Sequence, residues 1–300
     1  MNAECGVRNA ESETKPHLQR LWQRALRIGT WLVGAYAVAA ILLVLGENRL
    51  AFPGWTIRQP WLGPPAKTMV EEESMVTPDG NTIQGWWLPA TDWTPGKGAV
   101  LYMHGNGQNL STCGKALRSW RNELHMSVLG FDYPGFGHSS GTPDEQSCYA
   151  ASQAAFDWIV REKGVAARDV VVIGQSMGGA MATEVASRQR CRALITSGAF
   201  TSFPDIAQYH YGWLPARYLV RLKFDNLAKM RRMETPVFIA QGMEDQTVPF
   251  SQGAQLYAAA VVGLKRFYPM PGHGHSQPDS VEFYEAVRAF LQKTRRENLH

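Results

Sequence analysis

Ser176 lies in Gly174-Gln175-Ser176-Met177-Gly178, and the flanking residues point to nucleophilic chemistry. The apolar run Val170-Val171-Val172-Ile173 precedes it, and the small residues Gly179-Ala180-Met181-Ala182 follow it. Strand, glycine-flanked serine and helix, in that order, make up a nucleophile elbow. The turn forces the serine into sparsely populated φ/ψ space, and glycines two positions either side relieve the crowding. The pentapeptide alone recurs by chance in many chains, where it marks only a glycine-rich turn. Here the strand before it and the small-residue helix start after it favour a catalytic serine.

A serine hydroxyl needs a base, an orienting acid and an oxyanion hole. On a strand-turn-helix scaffold of this kind the acid and the histidine follow the serine in sequence. Pro236-Val237-Phe238-Ile239-Ala240-Gln241-Gly242 reads as a strand ending in glycine, and Asp245 lies in the loop after it. Glu244 competes with it, but Asp245 has the usual short spacing past the glycine and is followed, after two intervening residues, by Val248-Pro249. Arg266 to Met270 is the next apolar stretch and leads into His273-Gly274-His275. Either histidine could serve as the base. His275, with Gly274 directly before it, is the favoured base. The pair could instead bind a metal, but two imidazoles without a third placed ligand do not make a zinc site. No metal and no cofactor are expected.

An oxyanion hole takes two backbone N–H groups. Met177 opens a helix, where unpaired N–H groups favour an anion. The second donor should come from the loop after the strand Gly98 to Met103, where Asn106 sits in His104-Gly105-Asn106-Gly107. His104 precedes the serine in the chain and reads as a brace for that loop.

These residues require a scaffold of alternating strands and helices. Ser127 to Asp132 and Ala193 to Ser197 read as further strands, and Ala150 to Val160 has helical spacing with a glycine stop at Gly164. Such alternation predicts an α/β fold with a mostly parallel sheet and helices on both faces.

Residues from about 66 to 293 resemble the α/β-hydrolase superfamily of serine hydrolases. Within it the chain is similar to the BEM46-like subgroup, which takes in alpha/beta hydrolase domain-containing proteins 13 and 17. The residues carrying the likeness are His104-Gly105-Asn106-Gly107-Gln108-Asn109, Asp132-Tyr133-Pro134-Gly135-Phe136-Gly137, the Ser176 pentapeptide and Gln241-Gly242-Met243-Glu244-Asp245. Thr77-Pro78-Asp79-Gly80 before Gly85-Trp86-Trp87, and Phe200-Thr201-Ser202, are weaker matches. The likeness implies an α/β-hydrolase fold with Ser176 as nucleophile, Asp245 as acid and Asn106 in the oxyanion loop. It aligns His275 with the family's base, although Ser276-Gln277 stands here where Asn-Asp is usual. Members often carry an N-terminal membrane segment.

Ile28 to Gly46 is nineteen residues without a formal charge, long enough to span a hydrocarbon core of about 30 Å. It is too long, and its basic lead too extended, for a typical cleaved signal peptide. Lys15, Arg20, Arg24 and Arg27 precede it, and Arg49 and Arg58 are the nearest cations after it. The positive-inside rule keeps residues 1–27 in the cytoplasm and sends the rest to the other side, the periplasm in a bacterium. Residues 47–65, rich in Pro and Gly, are expected as an irregular juxtamembrane linker, with Trp55 and Trp61 at the lipid headgroups. Residues 66–300 then form the catalytic domain, with an aromatic flap over about 199–233.

Four cysteines, Cys5, Cys113, Cys148 and Cys191, show no metal spacing. A net charge of +4 with no basic stripe makes nucleic acid an unexpected partner. The expected activity is hydrolysis of carboxylic ester or thioester bonds of small-molecule or lipid-like acyl substrates. An acyltransferase on the same triad and a non-catalytic, membrane-tethered binding protein are the alternatives.

Overall fold

The computed structural model describes residues 14–57, 59–276 and 278–297. Cys5, Arg58 and Gln277, all named above, lie outside the described residues. The chain divides into two units, Met1–Gly46 and Glu47–His300.

In the first unit the helix Thr14–Leu45 covers the expected span as far as Leu45 and extends it backwards through the basic lead. Within its stretch Leu18–Leu45 an 18-residue segment has a mean hydropathy of 2.2, and by length and composition the helix could cross a membrane; a signal sequence near the N-terminus would pass the same test.

The second unit is built on an eight-stranded sheet: β1 (Glu71–Val76), β2 (Thr82–Leu88), β3 (Ala99–Met103), β4 (Ser127–Phe131), β5 (Val170–Gln175), β6 (Ala193–Ser197), β7 (Val237–Gly242) and β8 (Lys265–Met270). The spatial order is β1-β2-β4-β3-β5-β6-β7-β8. The first two strands pair antiparallel and β2 meets β4 antiparallel; every other pairing is parallel. Strands β3 to β7 are buried along their whole length, which requires the near-continuous apolar runs they carry. Alternate residues feed two cores. Trp87, Leu101 and Met103 enter one, whereas Trp86, Val100 and Tyr102 enter the other with Trp120 and Phe283.

After β3 the chain crosses first to β4 on one side and later to β5 on the other. The loops leaving β3 and β5 therefore diverge over a crevice at the strands' carboxyl ends, where open α/β sheets bind ligands. Met103 pairs with Gly174 in register, so the His104 loop and Ser176 leave the sheet side by side.

Residues 47–65 depart from the expected irregular linker in their first ten residues, while the described residues from 59 to 65 carry no helix or strand. The first ten hold two short helices, Glu47–Ala51 and Pro53–Thr56, which belong to the second unit. Phe52 is fully buried and packs edge-on against Phe136 and Phe224. That burial contributes about 1.5–3 kcal/mol. Trp61 stacks on His138 at 4.0 Å and meets Trp86 at 5.4 Å, so its ring packs on protein in place of the expected headgroups. Apolar area outweighed the turn-forming composition.

The region 199–233 holds three short helices, Phe203–His210, Ala216–Leu219 and Asn226–Met230. Its aromatic residues divide between two environments. Phe200 and Phe224 join the core, whereas Tyr209, Tyr211, Trp213 and Tyr218 are exposed. The strap leading into the last helix is caught by two distant carboxylates. Glu47 accepts the N–H groups of Arg221 and Leu222, both at 2.8 Å, and Glu145 accepts those of Lys223 and Phe224 at 2.7 and 2.8 Å.

Candidate active site

Ser176 follows β5 directly and precedes the helix Met177–Arg188. Its backbone has φ 53° and ψ −120°, a conformation that L residues rarely adopt. The turn is as close as the motif implies: a Cβ on Gly174 would lie 2.2 Å from the Gly178 carbonyl oxygen, and one on Gly178 would lie 2.1 Å from that of Met103. Ser176 N–H donates to the Ser197 carbonyl at 2.8 Å, which ties the elbow to β6. Strain of this kind costs on the order of 1–3 kcal/mol and persists only where the surroundings impose it. Ser176→Gly is therefore expected to be about 1–2 kcal/mol more stable than Ser176→Ala, read as a higher thermal midpoint.

Asp245 lies three residues past the end of β7 with its side chain fully buried. Its Oδ1 accepts the N–H groups of Thr247 and Val248 at 2.9 and 2.8 Å, and its Oδ2 accepts from Gln241 Nε2 at 3.1 Å. The same Oδ2 is 2.7 Å from His275 Nδ1, and His275 Nε2 is 2.8 Å from Ser176 Oγ. The three residues thus form one continuous hydrogen-bonded chain. With Asp245 accepting from Nδ1–H, the imidazole keeps Nε2 as the acceptor facing the hydroxyl. Gly198, at φ 62°, lies against the face of the His275 ring, where a side chain would come within 3.2 Å.

The competing residues lie elsewhere. Glu244 is exposed, and its N–H donates to the His273 carbonyl at 3.1 Å. His273 Nε2 is 3.0 Å from the Ser276 carbonyl, away from the serine. His104 is buried beside Asp132, 3.3 Å from its Oδ1, and its carbonyl accepts from Tyr133 Oη at 2.9 Å.

Met177 opens its helix, and Asn106 stands in the loop beside Ser176, with the Gly105 Cβ direction 3.6 Å from Ser176 Cβ. Among the described residues, neither the Met177 nor the Asn106 backbone N–H donates a hydrogen bond within the protein.

Two supports of this arrangement are not readable from the sequence. Gln241 reaches the acid and also donates to the Val248 carbonyl at 2.8 Å, closing the acid's loop. The flap helix Phe203–His210 ends on that same loop, with His210 Nε2 2.8 Å from the Thr247 carbonyl. The buried thiols take no part: desolvation pushes Cys191 up to about 12 and raises Cys113 and Cys148 further, leaving all three as inert core groups.

Comparison with known proteins gives a consistent result. Residues 98–226 match the family model described as the alpha/beta hydrolase fold. An uncharacterized protein of Mycobacterium tuberculosis is 30% identical over 273 residues, covering 87% of this chain and 96% of that one. Alpha/beta hydrolase domain-containing protein 17C of Xenopus tropicalis is 27% identical, over 64% of this chain and 61% of that one. Among solved structures, an esterase of Pyrococcus furiosus superposes with a TM-score of 0.62 at 18% identity, over 79% of this chain and 98% of that one. An acetyl xylan esterase from Paenibacillus sp. R4 superposes with a TM-score of 0.61 at 19% identity, over 80% and 91%. At such identities the structural likeness speaks for the fold.

Proposed function

This chain belongs to the α/β-hydrolase family, and from that premise we propose that it is a membrane-anchored serine hydrolase cleaving carboxylic ester or thioester bonds. The observation that carries the reading is the unbroken chain from Asp245 through His275 to Ser176, with links of 2.7 and 2.8 Å.

In this mechanism Ser176 Oγ attacks the substrate carbonyl while His275 Nε2 takes its proton. Asp245 holds the imidazole's orientation and stabilises the imidazolium. The N–H groups of Met177 and Asn106 receive the oxyanion, where one such donor is worth about two to three orders of magnitude in kcat. His275 passes its proton to the departing alcohol or thiol, and water then attacks the acyl-enzyme through the same base.

The apolar helix supports anchoring, and its basic lead favours a non-cytoplasmic hydrolase domain. The exposed aromatic residues of the flap, beside the acid's loop, favour a lipid-like or other apolar acyl group. By domain, we assign residues 1–27 to a cytoplasmic tail and 28–46 to the span. The hydrolase unit then begins at Glu47.

A fluorophosphonate probe tests this on the full chain. Labelling is expected in wild type and His273→Ala, and lost in Ser176→Ala and His275→Ala. A folded wild type that does not label would sink the proposal; loss in His273→Ala with labelling kept in His275→Ala would move the base to His273. A series of p-nitrophenyl esters then reads the acyl preference.

A further inference from the structure

An oxyanion donor works only while its N–H points to where charge will develop, and a misplacement of about 1 Å can cost 10²-fold. The loop that carries Asn106 is poorly equipped to hold such an aim by itself. It has glycines at 105 and 107, and its internal bonds join Gly105 to Gln108 at 3.1 and 3.3 Å, bypassing Asn106.

The restraints on Asn106 come from far upstream. Its carbonyl accepts from Gly54 N–H at 3.0 Å, and its carboxamide Nδ2 donates to the Ala51 carbonyl. Two further bonds extend the same contact: Asn109 Nδ2 to the Gln59 carbonyl at 3.1 Å, and Leu62 N–H to Ser111 Oγ at 2.9 Å. The fit at Gly54 is tight, since a Cβ there would lie 2.4 Å from Phe136 Cε1 and 2.5 Å from the Asn106 carbonyl oxygen. The upstream segment is itself anchored. Glu47 is buried and fixed to the flap strap, and its Oε2 meets Arg221 Nε at 3.1 Å. Phe52 fills the space between Phe136 and Phe224.

We infer that residues 47–57, with 59–62, are a positioning element of the active site, holding the Asn106 peptide through Gly54 and Ala51 so that its N–H stays aimed at the oxyanion. Asn106 thereby has two parts with separate duties. Its backbone N–H would meet the substrate, and its carboxamide latches the loop to the upstream segment. The inference rests on the hydrolase reading above.

Asn106→Ala and Gly54→Ala in the full chain test it. Asn106→Ala keeps the N–H and removes the latch without adding bulk, so it serves if Gly54→Ala fails to fold. Active sites are counted by fluorophosphonate titration, and p-nitrophenyl ester hydrolysis is expressed per titrated site. Each variant is expected to lose about 10–100-fold in kcat with KM changed less than about threefold, because the donor acts in the transition state. Val287→Ala, a truncation in the core on the other face, lowers stability and is expected to keep the wild-type kcat per site. An active wild type whose two variants keep full kcat per site overturns the inference alone. A wild type that neither labels nor hydrolyses overturns the hydrolase reading and the inference with it.

Discussion

Ser176→Ala is expected to lower kcat by about four to six orders of magnitude and to leave the protein folded. Among the described residues the hydroxyl's hydrogen-bond partner is His275 Nε2 at 2.8 Å, so its removal frees only that partly exposed nitrogen, leaves the Nδ1 link to Asp245 in place and opens no core cavity. The elbow does not depend on it, being fixed by glycine contacts and by the Ser176 N–H to Ser197 bond, none of which involves the side chain. What survives should be the weak rate given by substrate binding and the oxyanion N–H groups. Steady-state hydrolysis of a short p-nitrophenyl ester, alongside the thermal midpoint, checks both halves. Retention of more than about one per cent of kcat would remove the serine from the mechanism.

Asp245→Asn is expected to cost about 10⁴-fold in kcat with little change in KM, by imposing the wrong tautomer. The hydrogen bonds dictate the outcome. Thr247 and Val248 both donate to Oδ1, so the asparagine must keep its carbonyl oxygen there. Its amide NH₂ then falls at the Oδ2 position, facing His275 Nδ1 and Gln241 Nε2. The imidazole can pair with that NH₂ only by accepting at Nδ1, which puts its proton on Nε2 and leaves nothing to deprotonate Ser176. The opposed Gln241 amide adds a stability loss of about 1–3 kcal/mol from an unsatisfied buried donor. Kinetics and denaturation of the purified variant read the two effects separately. An active Asp245→Asn would point to a different acid.

The parts of this molecule legible from the sequence are those encoded locally. The apolar runs gave the five central strands because parallel strands buried on both faces must be apolar throughout. The glycine spacing singled out Ser176 because two close backbone approaches leave no room for a Cβ. Elsewhere the signal was weak. Strand β1 opens with three glutamates at the sheet's edge, so it shows no apolar run. The helix read over 150–160 runs from Glu145 to Glu162, starting at a reciprocal cap between Asp144 and Ser147. The helices Glu47–Ala51 and Pro53–Thr56 are too short for a 3.6-residue period to register. Their partners are set by tertiary contact: Ala51 meets Asn106 across 55 positions, and Glu47 meets Arg221 across 174.

That last separation has a meaning in time. A ribosome adding about 5–20 residues per second takes roughly 9–35 s to travel from Glu47 to Arg221. Through that interval the Glu47 carboxylate stays hydrated, and Phe52 has no Phe224 to pack against. The N-terminal end of the hydrolase unit is therefore among the first parts made and among the last completed. A nascent chain stalled before the strap would already carry Ser176 and Asn106, yet it would lack the clasp at Glu47 as well as the acid and the base.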